Sequence, residues 1–269
     1  MLFKARKESA PSLGSPLDLP KSPRSVRVTA GLAAVFATAV CSWIWTHSFA
    51  LARSDVRSYS TRVGERTTIP FADGATVYLN TASRIVLHST AKLHAARLLS
   101  GEALFDVPLA ATPVSLTAGE LQIDAPGAQF DVRREPTRLL VSVLDGQVRL
   151  ACRCTADAIV LAVGEQLEIS RQDGLAQLQR RSLLASEREH LVMWRDGHLF
   201  FEGAPLAAAA KELNRYNHRQ LVVGDAATAD LRIGGRFSAN DVDSFVAAIQ
   251  KTFGVQAQRE DDGWVIRER

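Results

Sequence analysis

The sequence has few cysteines, little net charge and none of the residue patterns that mark common enzymes. Its 269 residues include 3 cysteines, and 32 basic against 29 acidic side chains leave a formal charge of +3. A charge this small, without a run of Lys and Arg interleaved with aromatics, argues against nucleic acid as a partner. The nucleophile elbow, the HExxH metal motif, the Walker loop and the dinucleotide fingerprint are all missing. We therefore predict no catalytic residues and no cofactor.

The cysteines leave three alternatives open. Cys41 lies in an apolar run, whereas Cys152 and Cys154 form a C-x-C pair. In an exported compartment the pair can oxidise. Two residues apart in an extended strand, however, the cysteines would strain the Cα separation that a disulfide prefers. Free thiols, a strained disulfide and a metal site remain as alternatives, and no nearby histidine cluster favours the metal.

A long uncharged stretch separates a short basic tail from the bulk of the chain. Residues 28–52 contain no Asp, Glu, Lys or Arg. A helix of this length reaches about 37 Å at ~1.5 Å per residue, enough to cross a hydrocarbon layer of about 30 Å. The Lys and Arg residues before it predict a cytoplasmic N-terminus, a single inner-membrane span and a periplasmic bulk. The alternative is a cleaved secretory signal, because Ala50-Leu51-Ala52 has the form that signal peptidase accepts.

Two domains follow from the patterns on either side of a predicted linker helix. Residues 1–27 are rich in Pro and Ser and predict a disordered tail. Residues 59–175 consist of short β-rich runs separated by Gly-acid turns such as Asp145-Gly146. They predict a mainly β domain, either antiparallel or solenoid-like. Residues 182–195 favour the linker helix.

Residues 196–269 predict a small α+β domain with the element order β-α-β, β-α-β-β. Its two helices are expected to pack on one face of a small sheet. The second helix is expected to be capped by Ser238 or Asn240 and ended by Gly254. Its predicted apolar stripe consists of Val242, Phe245, Val246, Ile249 and Phe253.

A small sheet with an unpaired edge can accept a strand from a partner, and this predicts a partner interface in the distal domain. The first candidate edge is the run 221–223, and the second is the run 231–233. At the end of the first distal helix, a Tyr and the Arg before it either face a partner or close the core. The candidate interface residues are Arg215, Tyr216, Leu221, Val222, Val223, Leu231 and Ile233.

An ordered series of short motifs resembles the periplasmic FecR domain. Gly101-Glu102 and Phe130-Asp131-Val132 belong to this series, which comprises residues 64–65, 73–80, 97–107, 130–132, 145–148 and 164–166. Further motifs resemble the distal region of the same family, which is similar to the short N-terminal (STN) domain of secretins and TonB-dependent transducers. These are residues 194–201, 205–206, 213–216 and 235–237. The resemblance covers the chain from about Ser60 to its end.

The resemblance implies an inner-membrane sensor of the iron-dicitrate type that acts as an anti-sigma factor or sigma regulator. It implies three partners: the signalling domain of a TonB-dependent outer-membrane transducer, an extracytoplasmic-function (ECF) sigma factor and an intramembrane protease. Family members usually carry a helical anti-sigma domain before the membrane helix, and we expect that domain to be missing here. The alternative is an exported FecR-domain module that binds a surface component and has no sigma-factor role.

Overall fold

The computed structural model describes residues 55–90, 92–152, 154, 157–172 and 175–269. The predicted tail (1–27) and membrane helix (28–52) lie outside these residues. Within the described ranges, no helix is both long and apolar enough to cross a bilayer.

Twelve strands of the described residues form a mainly β domain that ends at Ser182, past the predicted limit of 175. Only one pair within it, β5 with β6, runs parallel. The strands are β1 (Asp55–Ser60), β2 (Thr67–Pro70), β3 (Thr76–Leu79), β4 (Arg84–Ser89), β5 (His94–Val107), β6 (Val114–Ala118), β7 (Leu121–Ala125), β8 (Ala128–Arg134), β9 (Arg138–Cys152), β10 (Ile159–Ala162), β11 (Glu165–Gln172) and β12 (Leu175–Ser182).

The two longest strands, β5 and β9, change partners halfway along their length. The first half of β5 pairs with β4 and β6, and its second half pairs with β3 and β8. The change occurs at Gly101, whose φ of 85° suits glycine. A Cβ there would lie 2.1 Å from Ser83 Oγ. Strand β9 changes partners after Gly146 (φ 73°). The prediction of a hairpin turn at Asp145-Gly146 is therefore wrong, because the strand continues through it.

Alternation along the strands builds the core of the β domain. In β5 and β8, Phe105 and Phe130 are fully buried, and their rings stack with centroids 4.9 Å apart. Their neighbours Leu104 and Asp131 point to the opposite face of the same strands, since side chains alternate along a strand. That second face is also covered, because Leu104 and Asp131 are themselves buried. Glu102 lies on the same face of β5 as Leu104 and is also buried.

The linker is shorter than the predicted helix over 182–195. It consists of α1 (Ala185–Leu191) and a 3₁₀ turn (Met193–Asp196). Helix α1 buries none of its residues, whereas the turn buries Trp194. Gly197 then ends the turn in the left-handed conformation, at φ 83°.

The distal domain has the predicted order of strands and helices, with one additional short helix. Its elements are β13 (His198–Pro205), α2 (Leu206–Asn214), β14 (Gln220–Val223), α3 (Ala226–Ala229), β15 (Arg232–Ser238), α4 (Val242–Phe253), β16 (Gln256–Glu260) and β17 (Gly263–Arg267).

The strands of the distal domain form two sheets rather than the single small sheet predicted. β13 pairs with β15, and β14 pairs in parallel with β17, which also pairs with β16. The separation is possible because α2 and α4 bury residues in one core that receives side chains from both sheets.

The ends of helix α4 differ in part from the prediction. Asp241, rather than Ser238 or Asn240, caps the helix by accepting a hydrogen bond from Ser244 N at 2.9 Å. The predicted C-terminal glycine, Gly254, is confirmed, with φ 69°. Four of the five predicted stripe residues are buried, and the fifth, Phe253, is 36% exposed.

Candidate functional site

A buried polar junction joins the second face of the β domain to the end of helix α2. Strands β5 and β8 supply Glu102 and Asp131, which are 5% and 3% exposed. The end of α2 supplies Arg215 and Tyr216. Charged groups are rarely buried this deeply unless they are paired, so the contacts of these four residues decide whether the junction is stable.

Arg215 and Tyr216 both reach the β domain. Arg215 Nη2 donates to Glu102 Oε2 at 2.6 Å. Asn80 Nδ2 donates to the same carboxylate oxygen at 2.6 Å and to Tyr216 Oη at 2.8 Å. Thr81 Oγ1 donates to the backbone carbonyl of Arg215 at 3.0 Å. The end of α2 is therefore bound to the β domain through the side chains of Arg215 and Tyr216 and through the backbone of Arg215.

Glu212 lies between two arginines from different domains. It accepts a hydrogen bond from Arg133 Nη1 at 2.8 Å and pairs with Arg215, three residues further along the chain. Burial alone would raise the pKa of Glu212, but the two guanidinium groups outweigh it and hold the pKa below its ordinary value. The carboxylate is thus charged at neutral pH and bridges the domains.

Asp131 is the unusual member of the junction. Burial, and after it the nearby Glu102 carboxylate, raises the pKa of Asp131 well above its ordinary value, although Arg215 and Arg133 oppose this effect. Its Oδ1 atom is buried and has no hydrogen-bond partner. A buried carboxyl group with an unsatisfied oxygen is more stable when it is neutral. The junction therefore favours a protonated Asp131.

Apolar packing completes the junction. Leu104 and Leu144, from β5 and β9, belong to the distal hydrophobic core rather than to the core of the β domain. They pack in the cluster that contains Trp194 and Leu213. Because this core includes residues from both domains, we expect neither half of the junction to be fully stable without the other.

A groove lies between helix α2 and the edge strand β14, beside the junction. Its volume is about 520 Å³. β14 is at the edge of its sheet, yet the edge is partly closed. Asn214 Nδ2 donates to the Leu221 carbonyl at 2.9 Å, and its Oδ1 accepts from Leu221 N at 2.7 Å. The groove is lined by Ala207, Ala210, Lys211, Asn214, Arg215, Gln220, Leu221 and Val223.

The structure brings three of the seven predicted interface residues to this groove, namely Arg215, Leu221 and Val223. Arg215 also faces the junction, where Tyr216 is buried. Of the β14 residues, Leu221 is 2% exposed, whereas Val222 is 51% exposed on the outer face.

The second candidate edge lies elsewhere. Leu231 precedes β15 and accepts a hydrogen bond from Leu206 N at 2.8 Å. Ile233 is buried in the distal core. A partner strand at this edge would therefore contact neither the groove nor the junction residues.

Sequence reasoning did not identify the β-domain half of the junction. Asn80, Glu102, Asp131 and Arg133 all lie in or next to a strand. The signal was a polar residue between two core residues, as in Phe130-Asp131-Val132. Such a residue is normally assigned to the solvent-exposed face of a strand, and only the covering domain shows that the face is buried.

The C-x-C pair is oxidised in the structure. Cys152 and Cys154 form a disulfide, with Cα atoms 5.1 Å apart. Among the described residues, no group of three or more His, Cys, Asp or Glu side chains could hold a metal ion.

Comparison with known proteins gives a family match for most of the β domain. Residues 57–149 match the family model described as FecR protein. This stretch matches the FecR family, and we refer to it below as the FecR domain. The FecR domain supplies Asn80, Glu102, Asp131 and Arg133 to the junction, and the distal domain that follows lies outside the matched residues. Among curated proteins, no relative matches the chain.

Two solved structures share the fold of the FecR and distal domains together. Both are crystal structures of a protein from Parabacteroides distasonis ATCC 8503 that is provisionally assigned as an anti-sigma factor. The first is 20% identical, with a TM-score of 0.63 over 80% of this chain and 100% of the other. The second is 21% identical, with a TM-score of 0.63 over 79% of this chain and 99% of the other. At this identity the likeness establishes a shared fold.

The first prediction concerns the buried ion pair. Substituting Glu102→Ala leaves Arg215 buried without its main partner, and we expect the free energy of unfolding to fall by about 3–5 kcal/mol. Urea denaturation followed by circular dichroism measures this loss. The control is Glu120→Ala, which removes an ion pair with Arg171 whose side chains are 53% and 51% exposed and should cost at most about 1 kcal/mol. Equal losses for the two variants would show that the Glu102 pair does not stabilise the junction.

The second prediction concerns the protonation of Asp131. The pKa of Asp131 is higher in the folded state than in the unfolded state. The protonated side chain therefore contributes its full stabilisation at a pH below the unfolded-state pKa of 3.8, and this stabilisation is lost as pH rises through the folded-state pKa. Asn mimics the neutral acid. We therefore expect Asp131→Asn to be increasingly more stable than the wild type as pH rises above about 4. Urea denaturation of both proteins across this range tests the sign, and a difference that does not vary with pH would contradict it.

Proposed function

We propose that the protein is a single-pass inner-membrane regulator that relays a periplasmic signal to an ECF sigma factor. The signal comes from the signalling domain of a TonB-dependent outer-membrane transducer of the iron-siderophore uptake type. Residues 28–52 form the anchor, with the N-terminus in the cytoplasm. The FecR domain and the fold shared with a provisionally assigned anti-sigma factor support the regulatory role.

The groove between α2 and β14 is the observation that carries the proposal. An extended segment can join an exposed edge strand through main-chain hydrogen bonds, while pockets for alternate side chains provide specificity. The alternate residues Leu221 and Val223 line the groove. The backbone N–H and C=O of Leu221 face the open edge of the sheet rather than β17, since both bond the Asn214 side chain. A transducer strand that pairs here would replace the Asn214 side chain at Leu221.

The last turn of α2 links the groove to the junction. Asn214 faces the groove, and its neighbours Glu212 and Arg215 hold the β domain. A strand that displaces Asn214 removes one of the contacts that fix this turn and so loosens the grip of Arg215 on Glu102. Transducer binding then favours a second state of the distal domain, in proportion to the difference in affinity between the two states. We propose that the loosened state is the one in which an intramembrane protease acts on the sensor.

The third prediction tests the groove as the binding surface. Val222→Glu places a charge on the outer face of the edge strand without entering the core, since Val222 is 51% exposed. We expect it to weaken binding of a purified transducer signalling domain roughly tenfold or more, measured by calorimetry. Val163→Glu is the matched control, because Val163 is 49% exposed in the β domain. Equal affinities for the two variants and the wild type would exclude β14 as the docking edge.

The fourth prediction tests the regulatory role. The full-length protein, purified from membranes after chemical cross-linking, should carry both a transducer and an ECF sigma factor, identified by mass spectrometry. The Val222→Glu variant should lose the transducer and keep the sigma factor. Recovery of a cell-surface component with neither of these partners would instead support an exported FecR-domain binding module.

A further inference from the structure

One end of the β domain lies where the chain enters it from residues 28–52. β1 begins at Asp55, only three residues after that run. The paired residues of neighbouring strands form one row across the sheet, which starts at Asp55. Along this row Asp55 pairs with Ser89, Ser89 with His94, His94 with Val114, and Val114 with Ala125. We call the loops and strand ends at this row the entry end.

Two more loops belong to the entry end because they contact His94. Asp73, in the turn between β2 and β3, lies 2.8 Å from His94 Nε2 through its Oδ2. The same oxygen accepts a hydrogen bond from Thr112 N at 2.8 Å, which ties down the loop between β5 and β6. The Phe71 ring packs on the His94 ring, with centroids 4.2 Å apart. The entry end is therefore a rigid surface rather than a set of independent loops.

This surface exposes more apolar side chains than the end of a soluble domain needs. Leu109 is 87% exposed, Val56 60%, Val160 44% and Leu93 40%. Leu109 lies directly over Gly127, since a Cβ at Gly127 would come within 2.6 Å of Leu109 Cδ2.

A cleft of about 430 Å³ is lined by two of these residues, Leu93 and Val160, together with Pro113, Pro126 and Val148. Exposed apolar side chains grouped around a cleft favour an interaction site.

The length of the connecting chain indicates the occupant. Three extended residues span at most about 11 Å. If residues 28–52 cross the bilayer, as in the function proposed above, Asp55 lies within that distance of the lipid surface. The basic side chains at this end, Lys92 and Arg149, are exposed. Leucine and valine side chains flanked by Lys and Arg suit the headgroup layer, where apolar groups enter and cations meet phosphates.

We propose that the entry end of the β domain docks on the periplasmic lipid surface of the membrane that holds residues 28–52, with Leu93 and Leu109 inserted among the headgroups. The contact fixes the orientation of the FecR domain against the bilayer. Tethering makes the contact effective even though a few side chains bind lipid only weakly, because the domain cannot diffuse away.

Spin labels on the full-length protein in lipid vesicles test this proposal. Leu109→Cys and Leu93→Cys, each in a Cys41→Ser background, carry a nitroxide whose collisions with oxygen and with an aqueous nickel chelate are compared. Oxygen concentrates in lipid and the chelate in water. We expect both labels to shift toward oxygen relative to the control Leu175→Cys. Leu175 is 73% exposed in the hairpin of β11 and β12, away from the entry end.

The other outcomes are distinguishable. High chelate accessibility at positions 93 and 109, equal to that at 175, overturns the docking. Low accessibility to both reagents means that a protein surface covers the entry end, and it overturns the docking in favour of a second copy or a partner. A label on the native Cys41 tests the anchor separately. If the label at Cys41 is accessible to oxygen but the label at position 109 is accessible to the chelate, only the docking is refuted. If the label at Cys41 is accessible to the chelate, the membrane anchor is refuted, and the docking with it.

Discussion

The ion pair between Glu102 and Arg215 is the constraint on which the rest of the structure depends. A carboxylate buried on the face of a β-sheet is costly unless a cation and hydrogen bonds compensate for its lost hydration. The cation that pairs directly with Glu102 is Arg215, because Arg133 of the FecR domain pairs with Glu135 and Glu212 instead. Arg215 comes from the end of α2, in the distal domain, and Asn80 adds a further hydrogen bond to the carboxylate. The two domains therefore complete one polar site, and each needs the other to bury it.

In the proposed function, the same turn of α2 connects this constraint to the groove. Within four residues it holds Glu212 and Arg215, which face the β domain, and Asn214, which occupies the free edge of β14. In the proposed function, a binding event at the groove therefore changes the stability of the junction. The stability of the junction also depends on the protonation of Asp131, because its buried site favours a neutral carboxyl group over a charged one.

Much of the fold was predictable because local patterns determine it. The alternating strands, the order of elements in the distal domain and the glycine after α4 follow from periodicity and backbone preferences. The continuation of β9 through Asp145-Gly146 did not follow, because a positive φ angle suits both a hairpin and a bend between layers. The junction was also missed. Glu102 and Asp131 look like solvent-exposed strand residues until the covering domain is known, and that cover is a long-range contact. The strand at 221–223 was predictable from its local pattern, and the structure places it at the edge of its sheet, whereas its role as an interface stays a prediction.

The central claim is that occupation of the groove and closure of the junction oppose each other. If the groove binds its partner only in the opened state, a change that weakens the closed junction strengthens binding at the groove by up to the same free energy. The most direct measurement is the affinity of a purified transducer signalling domain for the wild type and for Glu102→Gln, which keeps the shape of the side chain but removes its charge. The account predicts tighter binding to Glu102→Gln. Unchanged or weaker binding to a variant that remains folded would contradict it.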